Sequence, residues 1–165
     1  MDAFADRSIS SVVVKSSAQI GKTEIILNIL GYHVDQDPPP ILLLQQKLDM
    51  AEAVSKDRLA TMVRDTPALA GKVKDPRSRD SGNTLLHKTF PGGHITIAGA
   101  NSPSSLASRP IRIVLCDEVD RYPVSAGTEG DPVDLARKRS LRFHNRKSGE
   151  FSTPTIEGMS RIEQR

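Results

Sequence analysis

Apolar residues along the first part of the chain follow two kinds of pattern. Short aliphatic runs at 12–14 and 41–44 are typical of buried strands, and a helical spacing of apolar residues follows each run. The first of these helical patterns lies within 25–30 and the second within 47–64. The stripe of the second consists of Leu48, Ala51, Leu59, Met62 and Val63, with Ser55 as a polar gap. This alternating order predicts an α/β fold with parallel strands joined by crossover helices.

The middle of the chain predicts a pair of strands between two polar segments. Residues 84–88 and 94–98 have strand-like composition, and the Pro-Gly-Gly sequence within 90–93 predicts a turn between them. The segment 71–82 is rich in charge and proline, so we expect an exposed loop there. The segment 101–110 is rich in serine and proline and predicts a short helix and loop.

The last third of the chain predicts two strands and a helix. Residues 111–116 form a strongly β-branched run, and 133–140 fit a basic helix with an aspartate near its start. A further strand is expected over 147–151. Gly149 and Glu150 are poor strand formers, so we expect this part of the sheet to be loosely held.

Composition narrows the class of protein. With 165 residues, 37% of them hydrophobic and 26% charged, the chain has the size of one globular domain and resembles neither a disordered nor a membrane protein. Cys116 is the only cysteine, which excludes an internal disulfide framework. No apolar stretch approaches the roughly 20 residues that span a bilayer, and a cytoplasmic location is expected. The net charge of +3 permits contact with a polyanion without requiring it.

The link between the first strand and the first helix is a candidate phosphate-binding loop, Ser16-Ser17-Ala18-Gln19-Ile20-Gly21-Lys22-Thr23. In such a loop, backbone N–H groups and the helix N-terminus surround the phosphates, the lysine neutralises their charge and the threonine ligates Mg²⁺. The usual spacing is G-x-x-x-x-G-K-[ST], and Ser16 stands at the first glycine position. The alternative is a structural turn in which Ser17 caps the helix.

A second candidate for chemistry lies at the end of the strand predicted over 111–116. Asp117 and Glu118 follow this strand directly, and adjacent residues at a strand end point in different directions. One carboxylate can therefore meet Mg²⁺ while the other orients and deprotonates water. An acidic turn after a strand is the alternative, but a second half-site in the expected order favours a nucleotide site.

Together with a Ser-Thr-Pro turn after the last predicted strand, these motifs carry a resemblance to a known family. The chain resembles the ATPase domain of a phage terminase large subunit of the lambda-like type, the motor that packages DNA into a procapsid. The matching segments are 17–24, 98–103, 106–110, 115–122 and 152–155. The resemblance covers nearly the whole chain and implies a P-loop NTPase fold, a three-layer sandwich with a mostly parallel central sheet.

The resemblance also implies roles for individual residues and a cofactor, Mg-ATP. The loop from Ser16 to Thr23 would bind the nucleotide, with Lys22 acting in catalysis as well. Thr23 and Asp117 would ligate Mg²⁺, and Glu118 would be the catalytic carboxylate. The residues Ser152, Thr153 and Pro154 would form the coupling motif that passes the nucleotide state to DNA movement.

Further expectations concern cations and partners. Arg109 precedes the metal-site strand and is a candidate charge stabiliser acting in cis, with a surface position as the alternative. Basic residues near the end of the chain, Arg137, Lys138, Arg139, Arg142, Arg146 and Lys147, are candidates for contacts with the DNA backbone or form a solvated helix face. The family resemblance implies double-stranded DNA, a terminase small subunit, a portal protein and other copies of the chain as partners.

Relative to that family, we expect residues 1–165 to be an ATPase domain that is incomplete at both ends, without the nuclease domain. The segment that contacts adenine in the family would precede Met1, which leaves adenine recognition unassigned. Two other functions stay open from the sequence. One is a helicase-like, nucleic-acid-dependent ATPase, and the other is a non-catalytic prophage remnant.

Overall fold

The computed structural model describes residues 2–73, 83–102 and 109–164. Its strands are β1 (Ser11–Lys15), β2 (Pro40–Gln45), β3 (His87–Phe90), β4 (Gly93–Gly99), β5 (Ile113–Asp117) and β6 (Lys147–Ser152). Its α-helices are α1 (Asp2–Ala5), α2 (Lys22–Asp35), α3 (Leu48–Ala53), α4 (Ala60–Asp65) and α5 (Pro132–Lys138). A π-helical segment, Val54–Leu59, joins α3 to α4, and short 3₁₀ turns occupy Val119–Arg121 and Arg161–Glu163.

The six strands form one sheet in the order β1-β6-β5-β2-β4-β3. Every neighbouring pair is parallel except β3 and β4, which form an antiparallel hairpin at the edge. The carboxyl ends of β1, β6, β5 and β2 therefore lie at one end of the sheet. The predicted α/β fold with a mostly parallel sheet is confirmed.

Two hydrophobic cores cover the two faces of this sheet. Strand β2 contributes to both, because successive side chains on a strand point to opposite faces. Ile41 and Leu43 pack in the core with α2, whereas Leu42 and Leu44 pack in the core with α5. The three-layer arrangement follows directly from this alternation.

The helix predicted over 47–64 is present, but it carries a π-helical segment and one of its expected core residues is exposed. Ser55, the polar gap in the predicted stripe, is fully buried, and its hydroxyl donates a hydrogen bond to the carbonyl of Leu85. Leu48 was expected in the core and is 48% exposed, because it begins the helix at the end of the sheet. A π-helical insertion rotates the residues that follow it relative to an unbroken α-helix.

The expectation that the 147–151 strand would be loosely held is wrong. Strand β6 lies inside the sheet, between β1 and β5, and both Gly149 and Glu150 are buried. A Cβ at Gly149 would lie 2.8 Å from side-chain atoms of Phe4 and Phe151, so glycine is required there for packing. Glu150 is stabilised by an ion pair with Arg137 at 2.6 Å between Oε1 and Nη2. Both residues that disfavour a strand locally are thus explained by their tertiary contacts.

The hairpin is present with shifted bounds. Its first strand begins at His87 rather than at residue 84, and the turn consists of Pro91 and Gly92, with Gly92 at φ +86°. The basic helix predicted over 133–140 is present as α5 with bounds shifted to Pro132–Lys138, and Asp131 caps it by accepting hydrogen bonds from the N–H groups of Val133 and Asp134. The predictions for residues 74–82 and 103–108 lie outside the described residues. Across the described ranges, no helix is long and apolar enough to cross a membrane.

Candidate functional site

The loop between β1 and α2 lies at the carboxyl end of the sheet. The N–H of Ser16 donates to the carbonyl of Ser152 at 3.2 Å, which extends the β1–β6 pairing into the loop. Gln19 and Gly21 both have positive φ, +59° and +88°, so the backbone turns sharply before the helix. Gly21, not Ser17, occupies the N-cap position of α2. The loop thus turns around the N-terminus of a 14-residue helix, a geometry that favours anion binding.

Lys22 connects the loop to two other parts of the site. The side chain is only 5% exposed, and its Nζ donates to Thr153 Oγ1 at 2.7 Å and to the carbonyl of Ser17 at 3.0 Å. The same Nζ lies 3.5 Å from Glu118 Oε1. One buried ammonium therefore links the loop, the end of β5 and the end of β6.

Asp117 ends the buried strand β5 with its carboxylate among polar neighbours. Oδ2 accepts hydrogen bonds from Gln45 Nε2 at 3.3 Å and from Thr23 Oγ1 at 3.4 Å. Burial raises the pKa of Asp117, and the hydrogen bond from Gln45 acts in the opposite direction. Oδ1 is buried and has no hydrogen-bond partner among the residues that the structure describes.

This donor set fits Mg²⁺. The Asp117 carboxylate has one oxygen, Oδ1, without a partner among the described residues, and its other oxygen lies beside the Thr23 hydroxyl. Both groups are hard oxygen ligands. The described part of the chain contains no group of three or more His, Cys, Asp or Glu residues that would hold a metal by itself. Mg²⁺ is usually held by one or two protein oxygens together with waters and substrate phosphates.

Glu118 has a backbone conformation that directs the chain away from the sheet. Its φ of +55° and ψ of +52° place it in the left-handed region, which is rare for residues other than glycine. The side chain is one-third exposed, and Oε2 lies 3.9 Å from Arg121 Nε. Asp117 is therefore buried against Thr23, while Glu118 faces a position that solvent reaches.

The end of β6 brings the expected coupling residues to the same place. Ser152 is fully buried as the last residue of the strand, and Thr153 accepts the hydrogen bond from Lys22 described above. Pro154 follows directly and is half-buried. The loop, Asp117-Glu118 and Ser152-Thr153-Pro154, which are far apart in the sequence, therefore meet at one end of the sheet.

A family model matches the full chain. The model of the phage terminase large subunit gpA, ATPase domain, matches residues 1–165. The chain belongs to this family. The large terminase subunit of Enterobacteria phage P21 is 27% identical to it, and that of Escherichia phage lambda is 25% identical, each over 99% of this chain. The chain spans 26% of the length of each of these two relatives.

A solved structure supports the fold independently. A variant of the large terminase ATPase domain of Thermus phage P74-26 superposes on this chain with a TM-score of 0.63 at 17% identity. The similarity covers 94% of this chain and 63% of that one. The terminase ATPase fold is therefore shared even where the sequences have diverged.

Arg109 does not join this terminase site. Its Nη1 lies 3.4 Å from Nε2 of His87, on β3. Strand β3 is the outermost strand at the edge opposite β1, so Arg109 lies across the sheet from the loop. The geometry gives no support to a role for Arg109 in stabilising phosphate charge within the same chain.

Only part of the expected basic surface is available to a polyanion. Arg137 forms the ion pair with Glu150, and Lys147 Nζ donates to the carbonyls of Asp6 and Ile9. The exposed members of the set are Lys138, Arg142 and Arg146. They lie near the start of β6, at the end of the sheet opposite the loop.

Sequence reasoning missed two residues around the site: Gln45, which contacts Asp117, and Asp120, which contacts the segment after β6. Gln45 directly follows the apolar run of β2 and is 4% exposed, with its amide on Asp117. Asp120 lies two residues after Glu118 and accepts hydrogen bonds from the segment that follows β6. The available signal was position, since each is a polar residue at or just beyond the carboxyl end of a buried parallel strand.

Proposed function

We propose that this chain binds and hydrolyses Mg-ATP as the ATPase domain of a phage DNA-packaging terminase, and that hydrolysis drives double-stranded DNA into a procapsid. The observation that supports this most strongly is the convergence of Lys22, Thr153 and Glu118, with a buried acceptor of Asp117 beside them. The family match, which is to an ATPase domain, supports nucleotide chemistry at this place.

In the binding step, the loop from Ser16 to Thr23 surrounds the phosphates with backbone N–H groups. Lys22 leaves its contacts with Thr153 and Glu118, because its ammonium is needed on the β- and γ-phosphates. Thr23 and Asp117 would hold Mg²⁺ through side-chain oxygens, and Thr23 Oγ1 lies 3.4 Å from Asp117 Oδ2. When bound, Mg²⁺ would supply positive charge against the charge that develops on the phosphates.

In the chemical step, Glu118 orients the attacking water and accepts its proton. The carboxylate is suited to this because it is partly exposed and because departure of Lys22 frees its Oε1. Lys22 stabilises the charge on the γ-phosphate as the bond to the leaving oxygen breaks. Asp117 stays bound to its buried neighbours, so the two adjacent carboxylates have separate roles.

The coupling and partner assignments extend this proposal to the whole motor. Thr153 loses a hydrogen-bond donor when Lys22 turns to phosphate, which makes the end of β6 sensitive to the nucleotide. The exposed cations Lys138, Arg142 and Arg146 are the candidates for non-specific DNA phosphate contacts. The named relatives are terminase large subunits, which supports a small subunit, a portal protein and further copies of the chain as partners in the bacterial cytoplasm.

The test measures phosphate release and binding of a fluorescent ATP analogue, with and without duplex DNA. We expect DNA-stimulated hydrolysis in the wild type, loss of binding in Lys22→Ala, and binding without hydrolysis in Glu118→Gln. Lys56→Ala is the matched control, because Lys56 is an exposed lysine that pairs only with Glu52 among the described residues. Equal background turnover in all four proteins would contradict the proposal and support a non-catalytic remnant.

A further inference from the structure

The carboxylate of Asp120 gathers four hydrogen bonds from one segment of the chain. Oδ2 accepts from the N–H of Thr155 at 3.1 Å, from Thr155 Oγ1 at 3.2 Å and from Ser160 Oγ at 2.6 Å. Oδ1 accepts from the N–H of Ile162 at 2.7 Å. We call residues 155–162 the post-coupling segment, because they follow the coupling residues 152–154. The carboxylate of Asp120 thus helps to hold this segment in place against the rest of the fold.

Asp120 is also connected to the candidate site, both along the chain and through a hydrogen bond. It lies in the 3₁₀ turn that begins directly after Glu118, and its N–H donates to Ser152 Oγ at 3.2 Å. Ser152 is bonded through the chain to Thr153, the acceptor of the Lys22 ammonium. Glu118 is therefore two residues from Asp120 along the chain, and Thr153 is connected to Asp120 through its neighbour Ser152 and one hydrogen bond.

The contacts suit a carboxylate rather than a neutral side chain. Burial alone would raise the pKa of Asp120, but hydrogen bonds from Ser160, Ile162 and Thr155 outweigh it and lower the pKa. All four donors point at two oxygens, and an amide in place of the carboxylate would present N–H groups to some of them. Asparagine at position 120 would therefore not accept all four of the hydrogen bonds that hold the post-coupling segment.

We propose that Asp120 is a positioning residue that transmits the nucleotide state of the site to the post-coupling segment. The inference rests on the proposed nucleotide function. When Lys22 turns from Thr153 and Glu118 to phosphate, both ends of the connection to Asp120 are released from the ammonium. The carboxylate then carries the movement of the Glu118 turn to Thr155, Ser160 and Ile162 as a unit.

The experiment is hydrogen–deuterium exchange of the full chain, followed on peptides covering residues 155–162. Samples are nucleotide-free, bound to Mg-ADP or bound to a non-hydrolysable Mg-ATP analogue, and nucleotide affinity is measured in parallel. In the wild type we expect exchange in this segment to differ between the three states. In Asp120→Asn we expect affinity within about 3-fold of wild type and no difference in exchange between the states.

Two further variants separate positioning from folding. Asp57→Asn is the control, because Asp57 is an exposed helical carboxylate, and it should respond as the wild type does. The double variant Thr155→Val, Ser160→Ala removes two donors and keeps the carboxylate, and it should also lose the response. If Asp120→Asn unfolds, this double variant decides the question.

The outcomes distinguish the two proposals. A wild type that binds no nucleotide overturns the proposed function and this inference together. A wild type that binds nucleotide but shows no change in residues 155–162 overturns the inference alone. A normal response in a folded Asp120→Asn or in the double variant overturns it as well.

Discussion

Two carboxylates on neighbouring strands of the sheet are both buried, but they differ in the partners that surround them. Asp117 on β5 is 4% exposed and Glu150 on β6 is fully buried, and the strand register pairs Asp117 with the next residue, Phe151. Glu150 has an internal cation, Arg137, at 2.6 Å. Asp117 keeps one oxygen without a hydrogen-bond partner among the described residues. Its carboxylate lies at the loop between β1 and α2, in which Gln19 and Gly21 have positive φ.

The comparison separates a buried carboxylate that pairs with an internal cation from one that keeps an oxygen without a partner among the described residues. Burial costs free energy for any carboxylate, and at Glu150 the protein itself supplies the compensating charge. At Asp117 burial raises the pKa, and hydrogen bonds from Gln45 and Thr23 act in the opposite direction without cancelling it. Together with the unpartnered Oδ1, this makes Asp117 a candidate ligand for the proposed Mg²⁺.

The largest effect is expected at Asp117. Asp117→Asn should reduce ATP hydrolysis by about 10²-fold or more, because a ligand for Mg²⁺ is lost. The free energy of unfolding should stay the same or rise, since the folded state no longer holds an incompletely compensated charge. Phosphate release and urea denaturation check the two parts, with Asp57→Asn as control. A large loss of stability would place Asp117 in the same class as Glu150.

At the ion pair between Arg137 and Glu150 we expect the reverse, a loss of stability with nucleotide binding retained. Arg137→Ala leaves Glu150 buried without its cation, and the free energy of unfolding should fall by about 2–4 kcal/mol. Lys138→Ala, the exposed neighbour on the same helix, should change it by less than about 0.5 kcal/mol. Nucleotide affinity should be retained wherever the Arg137 variant is folded. Equal stability of the two variants would show that the pair does not hold Glu150.

A smaller effect is expected from the glycine beside Glu150. In Gly149→Ala the new Cβ would meet Phe4 and Phe151 at 2.8 Å, and the unfolding free energy should fall by about 1–3 kcal/mol. Gly31→Ala is the matched control, because a Cβ there meets only ordinary contacts at 3.5 Å or more within a helix. That variant should be as stable as the wild type or more stable. Urea denaturation of both variants tests whether glycine is required in β6 for packing. Equal changes in unfolding free energy for the two variants would contradict that explanation.

The smallest effect is expected at a buried base, His33, and concerns how stability depends on pH. Burial lowers the pKa of His33, with Asp37 acting against this shift and Arg112 and Lys147 supporting it. The unfolded chain therefore binds protons first, and stability present above about pH 6.5 is lost as the pH falls below it. The slope for one histidine is at most about 1.4 kcal/mol per pH unit.

Urea denaturation at several pH values between 7.5 and 5 measures this slope. His33→Gln should reduce it without abolishing it, because burial lowers the pKa of His87 and His94 as well. The exposed His144→Gln is the control and should keep the wild-type slope. A His33 variant with the full wild-type slope would assign the effect to other groups.

The sequence predicted the local elements well because each carried a strong periodic signal. The runs at 12–14 and 41–44 became β1 and β2, and the helical stripe at 47–64 became one helical segment. It misjudged Leu48, whose place in the stripe fits the core but whose position at the helix start leaves it exposed. Helical periodicity gives the direction of a side chain, not whether anything lies against it.

The motifs that the sequence singled out meet at one end of the sheet, but the polar residues around them were missed. Lys22, Asp117 and Glu118 belong to motifs in which residue type and spacing follow from phosphate chemistry. Gln45 and Asp120 have no such spacing, and their roles depend on which strand ends lie next to each other. Arg109 was expected near the phosphates because it precedes the strand of Asp117, but the chain enters that strand at its far end.

By itself the sequence determined which segments become strands and helices and which motifs are candidates for phosphate chemistry, because both depend on residues close together in the chain. The tertiary structure alone decided the strand order, the partners of buried charges and the distance of Arg109 from the loop. These depend on contacts between residues far apart in sequence, where a pairing such as Arg137 with Glu150 leaves no periodic trace. Burial makes such pairings necessary, and only the fold shows which groups are buried together.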